Sequence, residues 1–358
     1  MVTRLMACLF SALLGLCHLP QDSRAGMVFN LIDIGQAGTG TQPRLGFQQA
    51  ADFWSSKFND NIVINLEIGM AALGGSTLGG ADLQLVSGAY SSFRAAVLAD
   101  STSQDDSLFA SNLPTGSSFS VYINRTSNSP NGPSSATPYV DNDGDANNTS
   151  VLLARANAKA LGLIAANNSA VDARIQFNSG FTFDYDRTDG IASNAFDFVG
   201  IAIHEIGHAM GFFSGVDLLD TNAGLRDDQY EDVTSLDFTR FSAASRTAGA
   251  NIDWTADNRS KYFSVDGGTT VAVDNAWSLG RTFGDGRQAS HWKDGLGRGI
   301  MDPTFAPGEL GVVTNLDLRS FDVIGFNSSA VPEPTSIAIF ASGLSMLAFA
   351  RRRGKATT

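Results

Sequence analysis

Mixed strand and helix patterns without strict alternation predict an α+β fold, and two further observations bound it. The chain has 358 residues, 43% of them hydrophobic, with 37 glycines; this is an ordinary globular composition, long enough for roughly two domains. Both cysteines, Cys8 and Cys17, lie in an apolar N-terminal stretch. Disulfides therefore cannot staple the rest of the chain, and about 300 residues must hold together by core packing. The net charge of −12 argues against a nucleic-acid partner, whose phosphates want a basic face, and predicts a soluble, acidic surface.

Taken in order, Met1 to Arg4 is a short basic segment, Leu5 to Leu19 is apolar, and Ser23-Arg24-Ala25 offers small residues for a signal peptidase. Residues 1–25 read as a signal peptide and the chain as exported, with an N-terminal membrane anchor as the alternative. A globular region is expected from 26 to 330. Val28 to Ile34 reads as a strand. "GQAGTG" at 35–40 lacks the dinucleotide glycine spacing, and Pro43 is expected to interrupt any helix there, so it reads as a turn. Phe47, Ala50, Ala51, Trp54 and Phe58 recur at the spacing of an amphipathic helix over 46–58. Ile62, Ile64, Leu66 and Ile68 alternate with Asn65 and Glu67, as in a half-buried strand.

Residues 127–149 form a Ser/Asn/Pro/Gly tract, expected to be a loop. Within it "DNDGDANN" sets Asp141, Asp143 and Asp145 at alternate positions, as a Ca2+ loop would. Ala146 stands where the sixth-position glycine belongs and Leu152 where the bidentate glutamate belongs, so a solvated turn is preferred to calcium. Ser150 to Leu161 looks helical and ends at Gly162, while 173–177 and 181–185 read as strands. Asn194 with Asp197 is expected to cap a helix through "AFDFVGIAIHEIGHAMG". "FSVDGGTTVAV" suggests a hairpin turned on Gly267-Gly268, and Thr314 with Asp317 a capping box before a last helix that stops near Gly325. After Val331-Pro332-Glu333-Pro334 comes an apolar run, 337–350, then Arg351-Arg352-Arg353. This is a hydrophobic segment with a positive stop, short for a span of ~20 residues.

The chemistry concentrates in "HEIGHAMGFFSGVD", 204–217. His204 and His208, four apart on a helix, project from one face and can reach one ion; Glu205, a step round, lies where a general base must sit. The bland alternative is a helix with two satisfied histidines. Catalytic zinc needs three protein ligands and an open position, and this string supplies two. Of the chain's four histidines, His18 falls in the signal peptide, leaving His291, 83 residues beyond His208, as the third candidate. Asp217 and Glu231 are the alternative third ligands.

Two resemblances sharpen this reading. The extended motif through Gly211 resembles the metzincins, in which a His or Asp three residues after that glycine completes the site; here that place is Ser214. Ser290-His291-Trp292, followed by Met301 in "GIMDP", is similar to leishmanolysin, where an insertion delays the third histidine until shortly before the Met-turn. That resemblance implies His204, His208 and His291 as Zn2+ ligands, Met301 as the floor of the site, and a cleft between an N-terminal half ending near 211 and a C-terminal half, about 212–330. The insertion, about 218–285, would flank the cleft, and Asp302 is a candidate for steadying the turn or orienting a ligand. The strand at 181–185 is the candidate edge for pairing with an extended peptide.

The tail, 331–358, resembles the PEP-CTERM sorting signal of Gram-negative bacteria. That implies an exosortase-type partner and membrane transit through 337–350, with the product at the cell envelope or outside. "RANAKALG", "GFFSGVD", "GDGRQASHW" and "DLRSFDVIGF" make 28–326 look like a PEP-CTERM-tailed zinc metalloprotease, which implies a zinc-dependent endopeptidase with Glu205 as base and a protein or peptide substrate. A zinc-stapled structural or adhesive matrix protein is the second reading. A zinc hydrolase acting on non-peptide amides or on glycan-linked groups is the third.

Overall fold

The computed structural model describes residues 26–329; the expected signal peptide and the tail after 329 lie outside them. The sheet that carries the N-terminal half has four strands: β1 (Val28–Gly35), β2 (Val63–Ala71), β3 (Gly79–Leu83) and, later in the chain, β8 (Ala173–Asn178). Their order is β1-β2-β8-β3, parallel except for β3, which runs antiparallel to β8 with Ala81 opposite Ile175. Ile64, Leu66 and Ile68 of β2 are fully buried or nearly so, and so is Asn65. The alternation holds: Ile64, Leu66 and Ile68 face the core, while on the other face Glu67 is only partly covered and meets the half-exposed Arg174, and Asn65 is covered by the loop whose carbonyls at Asn168 and Ala170 accept its amide.

Helix α1 (Gln42–Lys57) starts four residues earlier than its apolar pattern. Thr41 caps it, and Pro43 sits in the first turn, where a missing N–H costs nothing. The proline that was expected to interrupt a helix therefore helps to begin one. α1 lies along α6 (Phe198–Met210), and Gly46 makes the approach possible: a Cβ there would run into the Phe198 ring. Trp54 donates from its indole to Ile203 O across that contact at 3.0 Å.

Between these elements lie β4 (Leu85–Ala89), α2 (Tyr90–Asp100), α3 (Gln104–Asn112), β5 (Val121–Ile123), β6 (Tyr139–Asp141), the single turn α4 (Ala146–Thr149), β7 (Ser150–Ala154) and α5 (Arg155–Ala160). The tract 127–149 is thus a loop interrupted by β6 and α4. The expected helix over 150–161 is half strand: Ser150–Ala154 pairs antiparallel with β4, and only then does the helix begin. Gly162 ends it with φ +67°. At 181–185 only β9 (Phe183–Asp184) forms, pairing with β10 (Phe196–Asp197). Asp197 itself caps α6, accepting from Gly200 N at 2.9 Å; Asn194 takes no part.

Beyond α6 regular structure is sparse: α7 (Val216–Thr221), β11 (Arg240–Phe241), α8 (Ala243–Ala248), β12 (Ile252–Asp253), β13 (Tyr262–Phe263) and α9 (Asn315–Val323). The expected hairpin closes through a single Phe263–Val273 bridge around Gly267-Gly268. The Thr314–Asp317 capping box forms as expected. Buried carboxylates stand in for ladders here. Asp237 accepts from Ser214 Oγ, Gly215 N, Thr234 N and Trp254 Nε1 at 2.5, 3.1, 3.0 and 2.9 Å, satisfying donors that no strand reaches.

A buried ion pair ties α5 to the sheet. Lys159 Nζ lies 2.5 Å from Asp172 Oδ2, both side chains fully covered, and the same oxygen accepts Asn65 N of β2 at 2.7 Å. Lys159→Met keeps the side-chain length and leaves the carboxylate only Arg155 as a cation, at 3.8 Å from its other oxygen; urea unfolding is expected to show a loss of about 3 kcal/mol. A loss under about 1 kcal/mol would mean that Asp172 simply takes up a proton.

Candidate metal centre

Every residue of α6 except His208 is buried, as befits a helix enclosed by a core, and its polar residues His204, Glu205 and His208 turn to one cleft. It ends at Gly211, whose φ of +121° few other residues adopt. Four residues apart, His204 and His208 present Nε2 atoms 3.1 Å from each other, and His291 brings its Nε2 to 3.2 Å from that of His208. Among the described residues, these three are the one group of His, Cys, Asp or Glu side chains close enough to share an ion.

The chemistry of this donor set fits a metal. Each Nδ1 faces a backbone carbonyl: Ile300 O at 2.7 Å for His204, Phe212 O at 2.6 Å for His208, and Gln288 O at 3.4 Å for His291. A carbonyl can only accept, so each Nδ1 carries the proton and each Nε2 turns a lone pair inward. Tetrahedral zinc with nitrogens at about 2.0–2.1 Å separates them by about 3.3 Å, close to the spacings found. Burial lowers His204 to about 4 and His208 to about 3, and holds His291 well below its ordinary value, with neighbouring imidazoles and Arg281 adding to the effect on His291. The triad is neutral and ready to ligate near neutral pH.

Glu205 is buried beside it at the floor of a cleft of about 670 Å³. Burial raises its carboxyl to about 8, against a hydrogen bond from the Ala81 amide. That amide belongs to β3, the sheet's outer strand, and Ser76 to Ala81 line the cleft. The strand along the cleft is thus β3; Phe183 and Tyr185, in the stretch expected there, border a separate depression.

Met301 is fully buried directly under α6, its sulfur 2.7 Å from where a Cβ of Gly207 would stand. Trp292 N donates to Met301 O at 2.9 Å, closing the segment that carries both the third histidine and this methionine. Asp317, at the start of α9, holds the segment: it accepts from Trp292 Nε1, Ile300 N and Met301 N at 2.8, 3.0 and 3.4 Å. Asp302 instead bonds Thr304; steadying of the turn falls to Asp317, which the sequence marks only as half of a capping box.

The alternative ligands have other positions. Glu231 is exposed and does not line the cleft. Asp217 does line it, but its carboxylate is engaged by Ala289 N at 2.6 Å, Ser290 N at 3.1 Å and Ser290 Oγ at 2.5 Å. It braces the residues that precede His291. Ser214, where a metzincin would carry its ligand, donates to Asp237. Asp141, Asp143 and Asp145 do not come within shared coordination reach of one another.

Searches of protein-family models, curated proteins and solved structures return no match to this chain. The metal-binding reading therefore rests on geometry and on the donor set.

His291→Ala is expected to weaken metal binding more than 100-fold in a chelator competition, and Asp217→Ala by about 10–100-fold, the range for a residue that orients a ligand. Glu231→Ala should leave it unchanged. Equal losses in the first two would make Asp217 a ligand instead of a brace.

Proposed function

We propose that the chain is a zinc-dependent endopeptidase of metzincin-like architecture, with its third ligand delayed as in leishmanolysin. The observation that carries this reading is the coincidence at one cleft of three inward Nε2 atoms, an adjacent buried carboxyl and the outer strand of the sheet. A structural zinc site needs neither Glu205 nor the open cleft, so the stapled-matrix reading leaves both without a role.

Zinc bound by His204, His208 and His291 would supply Lewis acidity toward a scissile carbonyl and an attacking water. An extended substrate adds to the outer edge of β3 by backbone hydrogen bonds, which sets its carbonyl over the triad. Glu205 takes the proton of the attacking water on a carboxylate oxygen and delivers it to the leaving nitrogen. Its raised proton affinity suits the delivery; a neighbouring cation would favour the ionised form, which the uptake needs. The buried floor keeps other water away from Glu205.

The exported, envelope or extracellular placement and the exosortase-type partner belong to this proposal too. They rest on residues 1–25 and 331–358, outside the described part. Among the described residues no helix is long and apolar enough to cross a membrane.

Cleavage of unfolded casein by the zinc-loaded chain from residue 26 tests the activity. Glu205→Gln is expected to keep the metal and lose about 10²–10⁴-fold in rate, and chelation should abolish turnover. Comparable rates in the metal-loaded variant would remove Glu205 from the mechanism. A folded, metal-loaded protein that cleaves nothing would favour the matrix reading.

A further inference from the structure

The loop from Leu279 to Gln288 forms one wall of the cleft and is held unusually tightly for a segment without regular structure. α7 grips it from one side. Asp220 accepts the Thr282 and Phe283 amides at 2.7 and 2.8 Å, while Asp217, one helical turn earlier, accepts those of Ala289 and Ser290. Gly280 has φ +118°, and a Cβ there would lie 2.5 Å from Asp220 Oδ1. Gly280 N bonds Arg287 O at 2.9 Å and Gly286 N bonds Gly280 O at 3.0 Å, pinching the base. The Arg125 guanidinium sits 3.6 Å over the Phe283 ring.

This fixed loop presents two cations to the cleft, Arg281 and Arg287. They differ in one respect. Arg287 is paired with Asp294, 2.7 Å away. Arg281 is exposed, and its one side-chain hydrogen bond among the described residues goes to the neutral Gln288 Oε1, at 3.1 Å. In a chain with 36 acidic against 24 basic residues, a cleft-wall arginine left without a carboxylate stands out. The two carboxyls that line the same cleft are committed, Asp217 to its three donors and Glu205 to the floor.

We infer that Arg281 is a specificity residue that receives a carboxylate of the substrate close to the scissile bond. The inference rests on the peptidase reading and names its substrate class: peptides that carry Asp or Glu, or a free C-terminal carboxylate, within a few residues of the cut. Guanidinium and carboxylate meet as a two-point pair. A divalent ion in the triad makes the cleft more positive still, which raises the local concentration of anionic substrate.

The test uses the zinc-loaded protein and matched peptides that differ only by Glu or Gln at each of three positions on either side of the cut, each with free or amidated C-termini. The readout is the ratio of kcat/KM, acidic over neutral, within each protein, so that losses in folded fraction cancel. The wild type is expected to prefer the acidic peptide about two- to five-fold at one position, the scale of an exposed ion pair, and the preference should shrink at high salt. Arg281→Ala should bring the ratio to about one, Arg281→Glu should take it below one, and Arg287→Ala should keep it. Dependence on amidation assigns the carboxylate to the C-terminus; dependence on Glu position assigns it to a side chain; either supports the inference. Metal-dependent cleavage with a ratio near one in the wild type, or a ratio that Arg287→Ala destroys equally, overturns the role of Arg281 while the peptidase reading stands. Absence of metal-dependent cleavage of every peptide, neutral ones included, overturns both.

Discussion

His204 and His208 converge at no extra cost, because one helix carries them four residues apart. The third imidazole must be brought back across 83 residues, and closing a loop of that length opposes the site by about 4 kcal/mol in chain entropy. Aromatic packing more than offsets this. Trp292, next to His291, is fully buried against Trp277 at 4.4 Å, Phe212 at 5.0 Å and Phe263 at 5.8 Å between ring centres, and each such burial contributes about 1.5–3 kcal/mol or more. Hydrophobic contact is not directional, however, and would tolerate a displaced ring. Asp317 and Asp217 supply direction. Each accepts several donors from the residues flanking His291 and Met301, so the segment has one register under α6.

The same device recurs through the molecule and changes the meaning of its composition. Asp172, Asp197, Asp220, Asp237, Asp253 and Asp317 are all essentially buried, as is Glu205. Much of the excess acid that suggested an acidic surface lies inside, accepting backbone and side-chain donors that short strands and loops leave open. That is how a C-terminal half with two-residue strands, and with both cysteines of the chain outside the described residues, stays ordered. A few cations are drawn in as well: Arg240 is buried near Asp237, Asp253 and Asp217, and Lys261 lies 2.5 Å from Asp257.

Legibility in the sequence tracks the range of the forces involved. α6 is legible because its ligand spacing is local, although the cap is Asp197 alone and the helix begins after it, and α9 because its capping box spans four residues. His291 and Met301 are legible by census and by motif. β3 is not: Gly79-Gly80-Ala81-Asp82-Leu83 has no β-branched residue, and its pairing with β8 is what makes it a strand. β7 has the look of helix because "VLLARANAKALG" keeps helical spacing throughout, while its partner β4 is remote along the chain, Leu85 pairing with Ala154. Asp217 has the look of a ligand, since spacing along the chain does not say which way a carboxylate faces. Arg281 carries no sequence signal at all, because an unpaired charge is defined by neighbours that only the fold assembles.

The chain that follows α6 ties the histidine triad to the cleft wall. Ser214, three residues after the Gly211 turn, bonds Asp237, and α7 comes next with Asp217 and Asp220 on one face. Those two carboxylates hold both ends of the segment that forms the cleft wall and then supplies His291. The cleft wall and the third imidazole are one continuous piece of chain, so the contacts that place His291 also place the side chains of the wall. On the proposed peptidase function, variation within 281–288 would alter what the cleft accepts only while the amides at 282, 283, 289 and 290 keep their partners on α7. That constraint would confine specificity to the side chains of a loop whose backbone the histidine triad needs unchanged.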